Sequence, residues 1–228
     1  MLPWFGWASL LLLVVGTVWG LAFAPSDFRQ GNSFRIFYIH VPSAILAQSV
    51  FMMMAVAAVV GLVWRMKLAF MFIRVAAPIG ASITFLALFT GAVWGKPTWG
   101  TWWVWDARLT STLIQFFIYL AIIGLFEAIE NMETAARTAA VACIVGVVNL
   151  PIIKFSVNWW NTLHQPATFK LTEPPSMATE MWLPGLVMLL GFYSLFATLV
   201  LMRMRNGILL QERRTNWVRE YLEKQRVL

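Results

Sequence analysis

Six runs of about 20 mostly apolar residues, at 5–24, 41–64, 75–94, 109–126, 139–153 and 182–202, constrain this chain more than any other feature. A helix of that length crosses the hydrocarbon core of a bilayer. In lipid the backbone must satisfy its own hydrogen bonds, so such runs fold as helices. The expectation is an all-α integral membrane protein with six transmembrane helices. Charge supports it: only 12% of the 228 residues are charged, about half the share a soluble domain carries. The fifth run is the shortest and holds Asn149 and Pro151 near its end. The first ends in Ala22-Phe23-Ala24, which resembles a signal-peptidase site. It lacks a preceding basic segment and is long for a signal sequence, so a retained helix is expected.

A net charge of +7 would suggest nucleic acid in a soluble protein. Here the basic residues flank apolar runs, where they set orientation and meet anionic headgroups, and no nucleic-acid partner is expected. With a cytoplasmic N-terminus, eleven of the 17 Lys and Arg fall inside, seven of them in the tail from Arg203 to Arg226. The positive-inside rule therefore places both termini in the cytoplasm. Residues 1–202 are expected to form the membrane domain and 203–228 a basic cytoplasmic tail, which rests on anionic membrane lipid or, in a second reading, docks a cytoplasmic partner. The single cysteine, Cys143, permits no internal disulfide.

Alternation of six helices puts the loops 25–40, 95–108 and 154–181 on one face, taken as the outer one. Both histidines, His40 and His164, fall there, as do eight of the 13 tryptophans. That asymmetry exceeds an interfacial belt, which would serve both faces. Each histidine alone reads as a backbone-bonded or solvated residue. Together they can coordinate one metal from opposite sides. A closed zinc site would want four ligands, and no thiolate is near. Two axial imidazoles suit an iron whose other ligands come from a macrocycle. Trp99, Trp103 and Trp105 offer flat contact area for a planar apolar ligand. Gly95 and Gly100 between them allow close backbone approach. Asp106 caps the helix starting near Ala107 or holds Arg108. Arg108, Lys96 and Arg35 are candidates to meet carboxylates, although charge at a membrane edge is the ordinary role of Lys96 and Arg35. No nucleophile has a base at a plausible spacing, so no enzyme activity is expected.

The run Trp99-Gly100-x-x-Trp103-x-Trp105-Asp106-x-Arg108-Leu109-Thr110 resembles the tryptophan-rich (WWD) signature of membrane haem-handling proteins. Within that group the chain most resembles the cytochrome c maturation protein C family, also called haem exporter protein C, over nearly its whole length. The larger synthases of the group continue after the aspartate with a Pro-Val-Glu-Asn type of sequence and carry further histidines. This chain reads Asp106-Ala107-Arg108-Leu109-Thr110 and has two. The resemblance implies non-covalent haem b held at the outer, periplasmic face of the bacterial inner membrane. His40 and His164 would be its axial ligands. Trp99, Gly100, Trp103, Trp105, Asp106 and Arg108 would form the surrounding platform. The implied partners are a periplasmic, membrane-anchored haem chaperone, the ATPase and permease subunits of an ABC transporter, and a small single-span helper. The implied role is haem delivery in c-type cytochrome maturation. The alternative is haem transport across the bilayer, which sparse mid-membrane polarity (Gln48, Gln115 and Asn149) disfavours.

Overall fold

The computed structural model describes residues 2–160, 162–164 and 177–226. Lys170 and Glu173 of the third outer loop lie outside the described residues. Six spans are long and apolar enough to cross a membrane, and no strand occurs among the described residues. The protein is an all-α multi-pass membrane protein, and six crossings put both termini on the same side.

Every span is longer than its apolar run. Helix α1 (Leu2–Val18) widens into a π-helical turn at Trp19–Phe23. The Arg35 guanidinium donates to the Leu21 carbonyl and, at 3.4 Å, to that of Ala24, both at the end of this turn. Helix ends leave carbonyls unsatisfied, and a cation there is favourable. Arg35 is thus engaged in holding a helix end. A 3-10 turn (Asn32–Ile36) leads into α2 (Phe37–Trp64). Helix α3 (Lys67–Trp99) and α4 (Ala107–Ala128) follow.

The fifth span is broken. Helix α5 (Met132–Gly146) stops, Val147 and Val148 turn, and α6 (Asn149–Trp159) continues outward. Pro151 does not end this span, because it occupies the first turn of α6, where no intrahelical N–H bond is required. Asn149 donates to the Ser111 carbonyl at 2.9 Å and to Gln115 Oε1 at 3.1 Å, tying the break to α4. Helix α7 (Thr179–Gln211) runs nine residues past the expected limit at Met202, and α8 (Asn216–Arg226) follows it.

Helix α2 is the hub, packed on α3, α5 and α7, while α1 lies along α7 and α4 bridges α3, α5 and α6. Lipid tails are as apolar as side chains, so small residues and interhelical hydrogen bonds do the joining. A Cβ on Gly80 would run into the Tyr119 ring, so α3 and α4 meet through a glycine under an aromatic ring. The Tyr119 hydroxyl then donates to the Ala47 carbonyl of α2 at 2.8 Å. Phe51, Met54, Ile73 and Ile122 are fully buried around it.

Candidate functional site

Between α2, α3 and α4, at the end that carries the tryptophan-rich loop, lies a cavity of about 580 Å³. That is within the roughly 300–1,000 Å³ typical of cofactor sites. His40, Trp94, Trp99, Trp103, Arg108 and His164 all line it. Both histidines and two of the three expected platform tryptophans therefore converge.

His40 sits at the start of α2 and crosses to α3. Its Nδ1 lies 3.0 Å from the Ala87 carbonyl and 3.2 Å from Thr90 Oγ1. A carbonyl only accepts, so Nδ1 carries the proton and Nε2 keeps its lone pair. That is how a ligand histidine is usually oriented by its surroundings. Gly91 makes room for the ring, since a Cβ there would stand 2.9 Å from His40 Cε1.

His164 arrives from the opposite side. Asp106 accepts from the Leu109 N–H at 2.7 Å, which is the helix cap of α4. Its second carboxylate oxygen accepts from the Thr162 hydroxyl. Thr162 Oγ1 in turn accepts from the His164 N–H at 3.1 Å. One buried carboxylate thus starts α4 and anchors the segment that carries His164. Burial, then the neighbouring Arg108 and His40, pushes the His164 pKa down to about 3, with Asp106 opposing. His164 is a neutral imidazole at physiological pH.

The two imidazole rings have centroids 6.4 Å apart, tilted by 51°. Trp99 lies 5.1 Å from the His164 ring, and Trp94 lies edge-on 5.6 Å from His40. The Trp103 Nε1, His164 Nδ1 and Gln115 Nε2 atoms are buried with no hydrogen-bond partner among the described residues. The Trp103 and Gln115 nitrogens are donors and call for an occupant that accepts.

Other expected residues sit elsewhere. Trp105 is 75% exposed, edge-on to Trp103 and outside the cavity lining. Trp99 is the last residue of α3 rather than part of a loop. Gly100 ends that helix at φ 80°, with open space where a Cβ would stand, so its role is conformational and not close approach. Gly95 does serve close approach, with Thr101 O 3.2 Å from its notional Cβ. Lys96 is exposed and donates to the Gly100 carbonyl at 3.1 Å. Arg108 lines the cavity while its Nε donates to Ser156 Oγ at 3.2 Å and Nη2 to the Lys154 carbonyl at 3.3 Å. Sequence reasoning missed Thr162, Thr90, Gly91 and Ser156, whose roles depend on contacts between distant segments.

Among the described residues no cluster of three or more His, Cys, Asp or Glu could hold a metal ion. Two neutral imidazoles in a tryptophan-walled chamber are what the chain offers. These features define a polytopic membrane protein with a paired-imidazole cavity at one membrane face.

The chain belongs to the haem exporter protein C family, whose sequence model, described as "Heme exporter protein C", matches residues 1–219. It is 52% identical to Heme exporter protein C of Escherichia coli (strain K12) over 225 residues, covering 98% of this chain and 90% of that protein. It is 52% identical to the protein of the same name from Haemophilus influenzae over 217 residues, covering 95% and 88%. The Bradyrhizobium diazoefficiens protein of that name is 50% identical over 208 residues, covering 91% and 79%.

Proposed function

We propose that this protein binds haem b non-covalently between His40 and His164 and hands it to a haem chaperone for c-type cytochrome maturation. The observation that carries the reading is the 6.4 Å between the two ring centres. A ligating imidazole nitrogen lies about 2 Å from its metal, and the ring centre about 1 Å beyond, so two imidazoles opposed across one iron have centres roughly 6 Å apart. His40 Nε2 retains its lone pair and His164 is neutral, the states ligation needs. Trp99 and Trp103 stack or abut the macrocycle, and Arg108 and the Trp103 N–H meet its carboxylates. The exposed Trp102 and Trp105 form a surface for the chaperone.

In this reading the cavity faces the periplasm, the membrane is the bacterial inner membrane, and both termini are cytoplasmic. Residues 1–202 are the haem-handling domain and 203–228 the cytoplasmic tail. The other partners are the ATPase and permease subunits of an ABC complex and a single-span helper. The protein positions its cargo and catalyses no reaction itself. Delivery is favoured over passage through the bilayer by the floor of the cavity. It ends near Ala47, Thr84 and Gln115, and beyond them Phe51, Met54 and Ile122 are fully buried.

The test is an absorption spectrum of detergent-purified protein reconstituted with haem, beside His40→Ala and His164→Ala. A six-coordinate low-spin spectrum in wild type, lost in each variant and restored by added imidazole, is expected. Unchanged spectra in both variants would refute the ligand assignment.

A further inference from the structure

Helix α2 carries residues 41, 45, 48, 52, 56, 59 and 63 at three- and four-residue spacing, so they share one face. Towards one end of the stripe Val41, Ile45 and Gln48 line the cavity. Along the rest of it Met52, Val56, Val59 and Val63 are exposed, which in a membrane means exposed to lipid. The cavity wall and the lipid-facing surface are therefore one continuous strip. On that side the cavity borders the bilayer unless another element covers it.

The element beside that strip is the broken fifth span. Helix α5 closes tightly on α2 at Gly146, where a Cβ would stand 2.8 Å from Phe51 Cζ. The chain then turns at Val147–Val148, and α6 packs on α4. Among the described residues α6 forms no extended packing with α2 or α7. It still contributes Ile153 and Lys154 to the cavity, while α7 contributes Leu189. Among the described residues this leaves a wedge-shaped window. Its apex is the Gly146–Phe51 contact, one edge is the half-buried Ile45 and Gln48, and the other is the exposed Lys154, with Ile153 buried behind it. His40 lies eight residues before Gln48 on α2, about 12 Å along the helix, so the window opens beneath the imidazoles within one leaflet.

We propose that this window is a lateral portal through which the cavity takes its cargo from the leaflet on its own side. The inference rests on the haem reading given above. The fitting cargo is a planar apolar macrocycle with carboxylates on one edge. Ile45, Ile153 and Leu189 match its faces. Lys154 is exposed on the rim, and Arg108 lies one helix away with Nη2 on the Lys154 carbonyl. A lysine at that position extends its ammonium towards the headgroups, where the carboxylates of such a molecule travel. The break at Val147–Val148 is what creates the opening, because an unbroken α5 would continue along α2 and close it.

The experiment compares two donors. Wild-type protein is reconstituted in phosphatidylethanolamine–phosphatidylglycerol vesicles. Haemin is supplied dissolved in the vesicle lipid, or from albumin in the outer buffer, and the rise of the low-spin band is timed. The expected result is that Ile45→Trp lowers the ratio of lipid to albumin loading rates at least tenfold. Lys154→Glu, at an exposed position where folding is not in question, lowers the same ratio several-fold. An unchanged ratio in both variants overturns the portal. Absence of any low-spin band in wild type from either donor is a different failure, since it removes the haem site and the portal with it.

Discussion

Thr162 is the smallest part of the site and the one on which His164 most depends. Its hydroxyl donates to Asp106 and accepts from the His164 N–H, so a single side chain links the α4 cap to the segment that carries His164. Thr162→Val keeps the shape and removes both bonds. Two such bonds are worth about 1–3 kcal/mol in total, so haem affinity measured by titration should fall roughly ten- to a hundredfold, with Thr162→Ser near wild type. The burial of His164 makes a second prediction. Its folded pKa, about 3, lies below the ordinary 6.5. Protons therefore bind first to forms in which the segment has opened, and acid erodes its stability as pH falls from 6.5 towards 3. Arg108 and His40 add to that sign and Asp106 opposes it. Above pH 6.5 haem affinity should be flat, and the unfolding temperature of the ligand-free protein should decline below it. At this scale the sequence pointed to most of the residues that the fold brings to one cavity. The two histidines, Trp99, Trp103 and Arg108 were legible because all five lie in or beside the loops of one face. Thr162 was not, because its role arises from a contact 56 residues away in the chain. Trp105 read like its neighbours, and only the turn after Gly100 decides that it faces outward.

At the scale of elements, the existence of six spans was legible and their ends were not. Hydropathy marks where lipid begins, whereas a helix continues until its backbone is stopped. Helix α3 therefore runs through Pro97 to Trp99 and stops at Gly100, and α7 continues to Gln211. The end of the fifth run was hard to read for a physical reason, since a proline that ends one helix and one that opens the next look alike in sequence. The junctions are testable. Gly80→Ala would drive a methyl into the Tyr119 ring and displace the hydroxyl from Ala47. Overpacking of this kind costs about 1–3 kcal/mol, and thermal unfolding in detergent should show it. The Asn149–Gln115 bond holds the broken span to α4. A double-mutant cycle with leucine at each position should give a coupling of about 0.6–2 kcal/mol. A coupling near zero would mean that packing of α6 on α4 alone fixes the break.

For the molecule as a whole, the even number of crossings follows from the fold, while its orientation rests on charge. The loops alone count four basic residues inside against six outside, so the expected orientation rests on the tail, with Arg203, Arg205, Arg213 and Arg214 closest to the last span. The prediction is that the tryptophan-rich loop faces the periplasm and the α2–α3 turn the cytoplasm. The protein is suited to the measurement, because its one cysteine, Cys143, is fully buried and a thiol reagent should leave it untouched. Trp102→Cys in the exposed loop and Arg65→Cys in the α2–α3 turn place one accessible thiol on each face. In intact inner-membrane vesicles of known sidedness, or in spheroplasts, a membrane-impermeant maleimide should label the Trp102 position from the periplasmic side only. The Arg65 position should react only after the membrane is opened. The reverse pattern would put the imidazole cavity on the cytoplasmic face. Haem would then be gathered where it is made, and the outer chaperone could not be its acceptor. Labelling therefore decides between delivery outside and capture inside, which the arrangement of His40 and His164 alone does not distinguish.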